Sequence, residues 1–143
     1  MKRILSCTLP LLAALCTACT PPEEAAVPET GAGAASFDLA HVDPGGAATM
    51  LAENPGLKVL DVRTPEEFAD GHLAGAINVD FQAPDFAAQA GKLDKETPYL
   101  VHCRSGRRSE ASLKILEELG FQKIYHLDGG ISAWEQAGKP LEK

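Results

Sequence analysis

Pro98-Tyr99-Leu100-Val101-His102-Cys103-Arg104-Ser105-Gly106-Arg107-Arg108-Ser109 is the stretch whose reading decides the fold. Tyr99 to His102 form a short, β-prone apolar run, long enough for one buried strand and shorter than an ordinary helix. From Ser109 the apolar positions Ala111, Leu113, Ile115, Leu116 and Leu119 recur at helical spacing until Gly120 closes the element. The segment reads as strand, basic loop, helix. Cys103 stands where the strand ends and the loop begins, so backbone N–H groups and a helix N-terminus favour both a thiolate and a bound anion there.

Outward from this segment, short apolar runs alternate with helical patterns, and no internal repeat appears. Strands are expected over residues 58–62, 76–79, 99–102 and 123–127, with a shorter one near Ser36 to Leu39. Such runs suit a sheet covered on both faces. Asp43-Pro44 supplies a cap and a first-turn proline for a helix through Met50 and Leu51, which Asn54-Pro55-Gly56 terminates. In Thr64-Pro65-Glu66-Glu67, the Thr64 hydroxyl and the Glu67 carboxylate each cover a free backbone N–H, making a capping box for a short helix ending near Gly71. Another helix covers part of residues 81–90, and a last one follows Gly129-Gly130 with Ile131, Ala133 and Trp134. Trp134 stands alone among polar neighbours and is assigned to packing. The expected fold class is α/β, a mainly parallel sheet of about five strands with helices on both faces.

The whole chain has 143 residues, 45% of them hydrophobic, which suits one compact domain with modest extensions and leaves no room for a second. Its formal net charge is −7, which excludes a polyanion such as a nucleic acid as partner on bulk electrostatics. The arginines after Cys103 are thus a local exception.

Met1-Lys2-Arg3, a short apolar core and the small residues up to Cys19 read as an export signal over residues 1–18, too short for a permanent span of about 20 apolar residues. The end of this run resembles a bacterial lipoprotein signal, with Cys19, preceded by Thr17 and Ala18, as the lipidated first residue of the mature chain. Cleavage to a soluble periplasmic form is the alternative, since Cys16 stands where the lipoprotein pattern has Leu. Cys16-Thr17-Ala18-Cys19 also has the spacing of a redox pair, but it lies in a segment expected to be removed rather than at a strand-to-helix junction. Removal would move the charge from −7 to −9 and leave Cys103 without a disulfide partner if Cys19 is lipidated. Residues 19–36, rich in Pro, Glu, Ala, Gly and Thr, are expected to form a disordered tether reaching roughly 20–25 Å. The resulting organisation is an export signal over 1–18, a tether over 19–36 and a folded domain over 37–143.

Asp61-Val62-Arg63 with Glu66-Glu67-Phe68, Gly71-His72-Leu73-Ala74-Gly75-Ala76-Ile77-Asn78, the Cys103–Ser109 loop and Asp128-Gly129-Gly130-Ile131 occur in order along the chain. Together they resemble a single-domain rhodanese, a sulfurtransferase, over roughly residues 37–141. The resemblance implies that Cys103 attacks the outer sulfur of a donor such as thiosulfate, becomes a persulfide and passes that sulfur to a thiophilic acceptor, cyanide or a thiol. Arg104, Ser105, Gly106, Arg107, Arg108 and Ser109 are then the substrate-binding loop. Arg can present a planar fork to a sulfonate, and Arg107, in mid-loop, is the better placed of the three arginines. Asp61 and Arg63 are supporting residues, expected to form a structural ion pair.

His102 adjoins Cys103, but neighbouring strand residues point to opposite faces, so it is read as structural rather than as a base. His72, in a family motif, is likewise read as a hydrogen-bonded structural residue. His41, His72, His102 and His126 show no ligand spacing with one another or with Cys103, so no metal or cofactor is expected. Two rivals are weighed against catalysis of sulfur transfer. One is a non-catalytic or carrier module of the same fold that delivers persulfide sulfur to a partner. The other is a cysteine phosphatase or arsenate reductase, which needs a wider loop with Arg six positions after the cysteine; Ser109 stands there instead.

Overall fold

The computed structural model describes residues 36–143. The readings of an export signal over 1–18, lipidation at Cys19 and a tether as far as residue 35 lie outside the described residues. Strands β1 (Asp38–Val42), β2 (Lys58–Asp61), β3 (Ala76–Asn78), β4 (Tyr99–His102) and β5 (Lys123–Leu127) form one sheet in the order β1-β5-β4-β2-β3. Every pairing is parallel. Helices α1 (Pro44–Glu53), α2 (Pro65–Asp70), α3 (Phe86–Ala90), α4 (Arg107–Glu118) and α5 (Gly130–Gln136) fill the crossovers and the C-terminal end.

The strand period explains the layering. Val59 and Leu60 on β2, like Leu100 and Val101 on β4, point to opposite faces and join different cores. One face packs with Ala47 of α1 and with Ile131 and Trp134 of α5. The other packs with Phe86 and Ala90 of α3 and with Leu113 and Leu116 of α4. The α/β fold with a five-stranded sheet and helices on both faces is therefore as expected, and the sheet is parallel throughout.

Chain direction fixes where a site can form. From β4 the chain proceeds to β5 on one side, whereas from β2, its neighbour, it proceeds to β3 on the other. Loops leaving such a pair diverge and open a crevice at the carboxyl ends of the strands. Asp61-Val62-Arg63 leaves β2 there and Cys103 leaves β4.

Strands β2 and β3 each end one residue before the expected 58–62 and 76–79, and two other boundaries differ by more. The first strand spans Asp38–Val42 rather than lying near residues 36–39, because β5 pairs with it from Asp38↔Lys123 to Val42↔Leu127. The fourth helix begins at Arg107, not Ser109, because Gly106 serves as its N-cap at φ 94, a left-handed conformation that starts the first turn early. After α5 the tail returns to the opposite half of the domain. The His72 N–H donates to the Glu142 carbonyl at 2.9 Å, the Glu142 N–H donates to the His72 carbonyl at 2.8 Å, and the Trp134 indole donates to the Pro140 carbonyl at 2.9 Å.

Candidate active site

Cys103 is 1% exposed, at the base of its loop, with Arg104 and Ser105 exposed above it. The Gly106 N–H donates to Sγ at 3.2 Å, and the Ser109 hydroxyl lies 3.5 Å from Sγ. Burial alone pushes this thiol up. Hydrogen bonds from the Ser109 hydroxyl and from the N–H groups of Ser109, Ser105 and Arg108 outweigh it, and the net result lies below the ordinary thiol value. The loop thus makes a nest of donors around the sulfur, backed by the positive end of α4.

A nest needs its N–H groups turned inward, which requires its carbonyls to be held outside. The first turn of α5 does this. Ile131 N–H donates to the Cys103 carbonyl at 2.8 Å and Ser132 N–H to the Arg104 carbonyl at 3.0 Å. Gly130 makes the approach possible: at φ 60, it leaves no room for a Cβ against the Cys103 and Arg104 carbonyls. This clamp escaped the sequence reading, which placed Asp128-Gly129-Gly130-Ile131 in a family motif without a task. The paired glycines were the available signal.

The three arginines have three different settings. Arg108 forms a two-pronged pair with Glu67, Nη1 to Oε2 at 2.7 Å and Nη2 to Oε1 at 2.9 Å, and its charge also acts on Cys103. Glu67 keeps its expected capping role as well, its N–H bonded to the Thr64 hydroxyl at 3.4 Å and its carboxylate accepting the Thr64 N–H at 3.3 Å. Arg107 lines a depression of about 500 Å³ together with Phe81, Gln82, Ser105, Arg108 and Ala111. Arg104 lines a smaller one of about 200 Å³ on a wall that carries Glu67, Asp70 and Glu135. No carboxylate lines the Arg107 side, and Arg107 lacks the pairing that Glu67 gives Arg108, so of the two depressions this one is the better suited to an anion.

Asp61 and Arg63 form the expected ion pair. Arg63 Nε and Nη2 meet Asp61 Oδ2 at 2.9 and 2.6 Å, Nη2 also donates to the Gly71 carbonyl at 2.7 Å, and both side chains are buried. The pair ties the end of β2 to the end of α2 and so supports the loop's neighbours. His102 is fully buried, with Nε2 3.7 Å from Asp61 Oδ2 and Nδ1 3.3 Å from the Cys103 carbonyl rather than the sulfur. Burial pushes its imidazole down toward the neutral form. His72 stacks on Phe68 and shares a 3.1 Å hydrogen bond with the Phe68 carbonyl.

The expectation that the histidines stand apart is corrected for one pair. Parallel register places His41 of β1 opposite His126 of β5, and their Nδ1 atoms lie 3.3 Å apart. Linear spacing carried no sign of this, since the contact depends on which strands pair.

A family model described as a rhodanese-like domain matches residues 44–137, and the chain belongs to that family as a rhodanese-type enzyme. Among its relatives, the thiosulfate sulfurtransferase GlpE of Stutzerimonas stutzeri (strain A1501) is 36% identical over 98 residues, covering 68% of this chain and 85% of that protein. The chloroplastic thiosulfate sulfurtransferase 16 of Arabidopsis thaliana is 38% identical over 97 residues, covering 61% of this chain and 81% of that protein. The crystal structure of a rhodanese-related protein from Thermoplasma volcanium superposes with a TM-score of 0.64 at 28% identity, covering 72% of this chain and 97% of that one.

Proposed function

We propose that this enzyme moves sulfane sulfur from a small anionic donor such as thiosulfate, through a persulfide on Cys103, to cyanide or a thiol. The observation that carries the reading is the convergence of Gly106 N–H, the Ser109 hydroxyl and the further loop N–H groups on one buried sulfur. The relatives named as thiosulfate sulfurtransferases support the donor class.

The Cys103 thiolate attacks the outer sulfur of thiosulfate end-on. A bond forms from Sγ to that sulfur, the donor's own sulfur–sulfur bond breaks, and its electron pair leaves with sulfite. No proton moves in this step, so no general base is required, in keeping with His102 facing Asp61 and the Cys103 carbonyl. The terminal sulfur of the persulfide inherits the negative charge and the same donors. An acceptor nucleophile then bonds to that sulfur, and the electron pair of the breaking bond returns to Sγ as thiolate. Arg107, in the depression beside the loop, is the group assigned to the donor's charge, while Arg108 is already paired with Glu67. Ser105 and Gly106 contribute backbone donors, while Arg104 anchors the loop through its carbonyl.

Export and lipidation are part of the same proposal, supported by the run over residues 1–18 and by Cys19. In cells fed labelled palmitate, the label should enter the wild-type chain and not Cys19→Ala; an unlabelled wild type would leave cleavage without lipidation. For the chemistry, thiosulfate should add the mass of one sulfur atom to the intact protein, and Cys103→Ser should abolish the adduct. Arg107→Ala should weaken thiosulfate use more than use of an uncharged persulfide donor. Absence of any adduct with every sulfane donor, or hydrolysis of phosphate esters instead, would sink the reading.

A further inference from the structure

The pair formed by His41 and His126 belongs to a larger group on the far side of the Cys103 loop. Asp128 Oδ1 lies 2.9 Å from His41 Nδ1 and 3.3 Å from His126 Nδ1, and the two nitrogens are 3.3 Å apart. Glu110, in the first turn of α4, brings Oε2 to 3.7 Å from His126 Nδ1. The ligand atoms of His41, Glu110 and His126 all lie within 4.8 Å of one another. Three donors, from β1, β5 and α4, therefore cluster, and Asp128 in the turn after β5 touches both imidazoles.

The spacing of the two imidazoles and Asp128 is close to that of ligands around one ion. With metal–nitrogen and metal–oxygen bonds of about 2.0–2.2 Å, a tetrahedral site has ligand–ligand edges of about 3.3–3.6 Å. Two of the three edges of the His41–His126–Asp128 triangle are 3.3 Å, and the third, 2.9 Å, is a hydrogen-bond contact that opens slightly around a cation. Two imidazoles and two carboxylates form a donor set for borderline divalent ions rather than for magnesium or calcium.

Burial adds a second argument. The His126 side chain is 4% exposed, whereas those of His41, Glu110 and Asp128 are 47%, 59% and 55% exposed. One ligand is fixed in the fold and three can close from the surface. A metal-binding imidazole characteristically engages a partner through its other nitrogen, which fixes the ring. His126 Nε2 has such a partner in the Ser109 hydroxyl, 2.9 Å away.

We propose that His41, His126 and Glu110, with Asp128 beside them, form a binding site for one divalent transition ion of the zinc class, adjoining the sulfur-transfer centre through Ser109 but separate from the sulfur. His126 anchors the ion through Nδ1 and His41 closes it from the edge strand. Asp128 and Glu110 bring two negative charges, so the bound ion is neutralised in place.

The test is cobalt binding to the full chain, freed of metal by a chelator, with zinc as competitor. One equivalent of cobalt should give visible absorption typical of four-coordinate nitrogen and oxygen ligation, without a near-ultraviolet sulfur charge-transfer band, and zinc should displace it. Loss of an outer partner alone costs roughly 10–100-fold in metal affinity, and His41→Ala should cost at least that much. His41 is exposed and outside the loop, so persulfide formation on Cys103 reports that this variant is folded. Failure to bind stoichiometric cobalt, or equal affinity in His41→Ala, overturns the site. A sulfur charge-transfer band places the ion on cysteine and overturns it equally.

Discussion

At the scale of single residues, the acidity of Cys103 is decided by a contest between burial and donors. Because the donors win, the thiolate exists at a lower pH than for an ordinary cysteine. The rate of alkylation by iodoacetamide should therefore rise with pH about a lower midpoint in the folded protein than in the unfolded chain. Ser109→Ala removes one hydroxyl donor while leaving the N–H groups in place, and should move the midpoint upward. An unmoved midpoint would assign the activation to the backbone alone. Gly130 supplies the sharper test of the clamp. A side chain there faces both the Cys103 and Arg104 carbonyls and an unfavourable φ of 60, a strain of order 1–3 kcal/mol. In Gly130→Ala the loop must yield, so persulfide formation should fall by more than about tenfold while circular dichroism still reports an α/β fold. That drop, about 1.4 kcal/mol or more in barrier, is within what such strain can supply.

At the scale of elements, α2 and α4 are joined by Glu67, which caps one helix and holds an arginine of the other. Arg108 keeps the Glu67 carboxyl below its ordinary value of 4.5. Its folded value lies under its unfolded one, so the stabilisation is fully present above about pH 4.5 and is lost as pH falls through the folded value. Glu67→Gln retains the cap and removes the charge pair, and should cost about 1 kcal/mol in urea unfolding at neutral pH. In strongly acidic buffer the two proteins should converge; a constant difference would attribute the effect to the cap. The capping box itself was readable, because Thr64 and Glu67 lie three positions apart and the chemistry is local. The Arg108 pair was not, since Arg108 and Glu67 are 41 positions apart and meet only when the crevice forms. The same holds for His41 and His126, 85 positions apart, whose meeting requires the β1–β5 register. Helix α4 was plain from its apolar period over Leu113 and Leu116, yet its first turn of Arg107 and Arg108 carries no apolar signal. Local chemistry and periodicity are thus written along the chain, and cross-element partners are not.

At the scale of the whole molecule, the crevice between β2 and β4 explains why Cys103, Arg63 and Asp61 gather at one end, and the order of short apolar runs was enough to anticipate that α/β frame. The tail holds the frame closed from the far side. Deleting residues 140–143 removes the paired His72–Glu142 backbone bonds, the acceptor of the Trp134 indole and the packing of Leu141. The loss should reach about 2 kcal/mol by chemical denaturation, and a change under about 0.5 kcal/mol would show the tail to be ornamental. The α5 clamp has a temporal consequence. The groups that hold the Cys103 and Arg104 carbonyls come from α5, which follows β5, so all five strands must be synthesised before they exist. A nascent or unfolded polypeptide carries Cys103 as a thiol of ordinary acidity, slow to attack sulfur donors or to be oxidised. Reactivity is conferred only once α5 has docked on the loop, which makes the folded molecule its own safety catch.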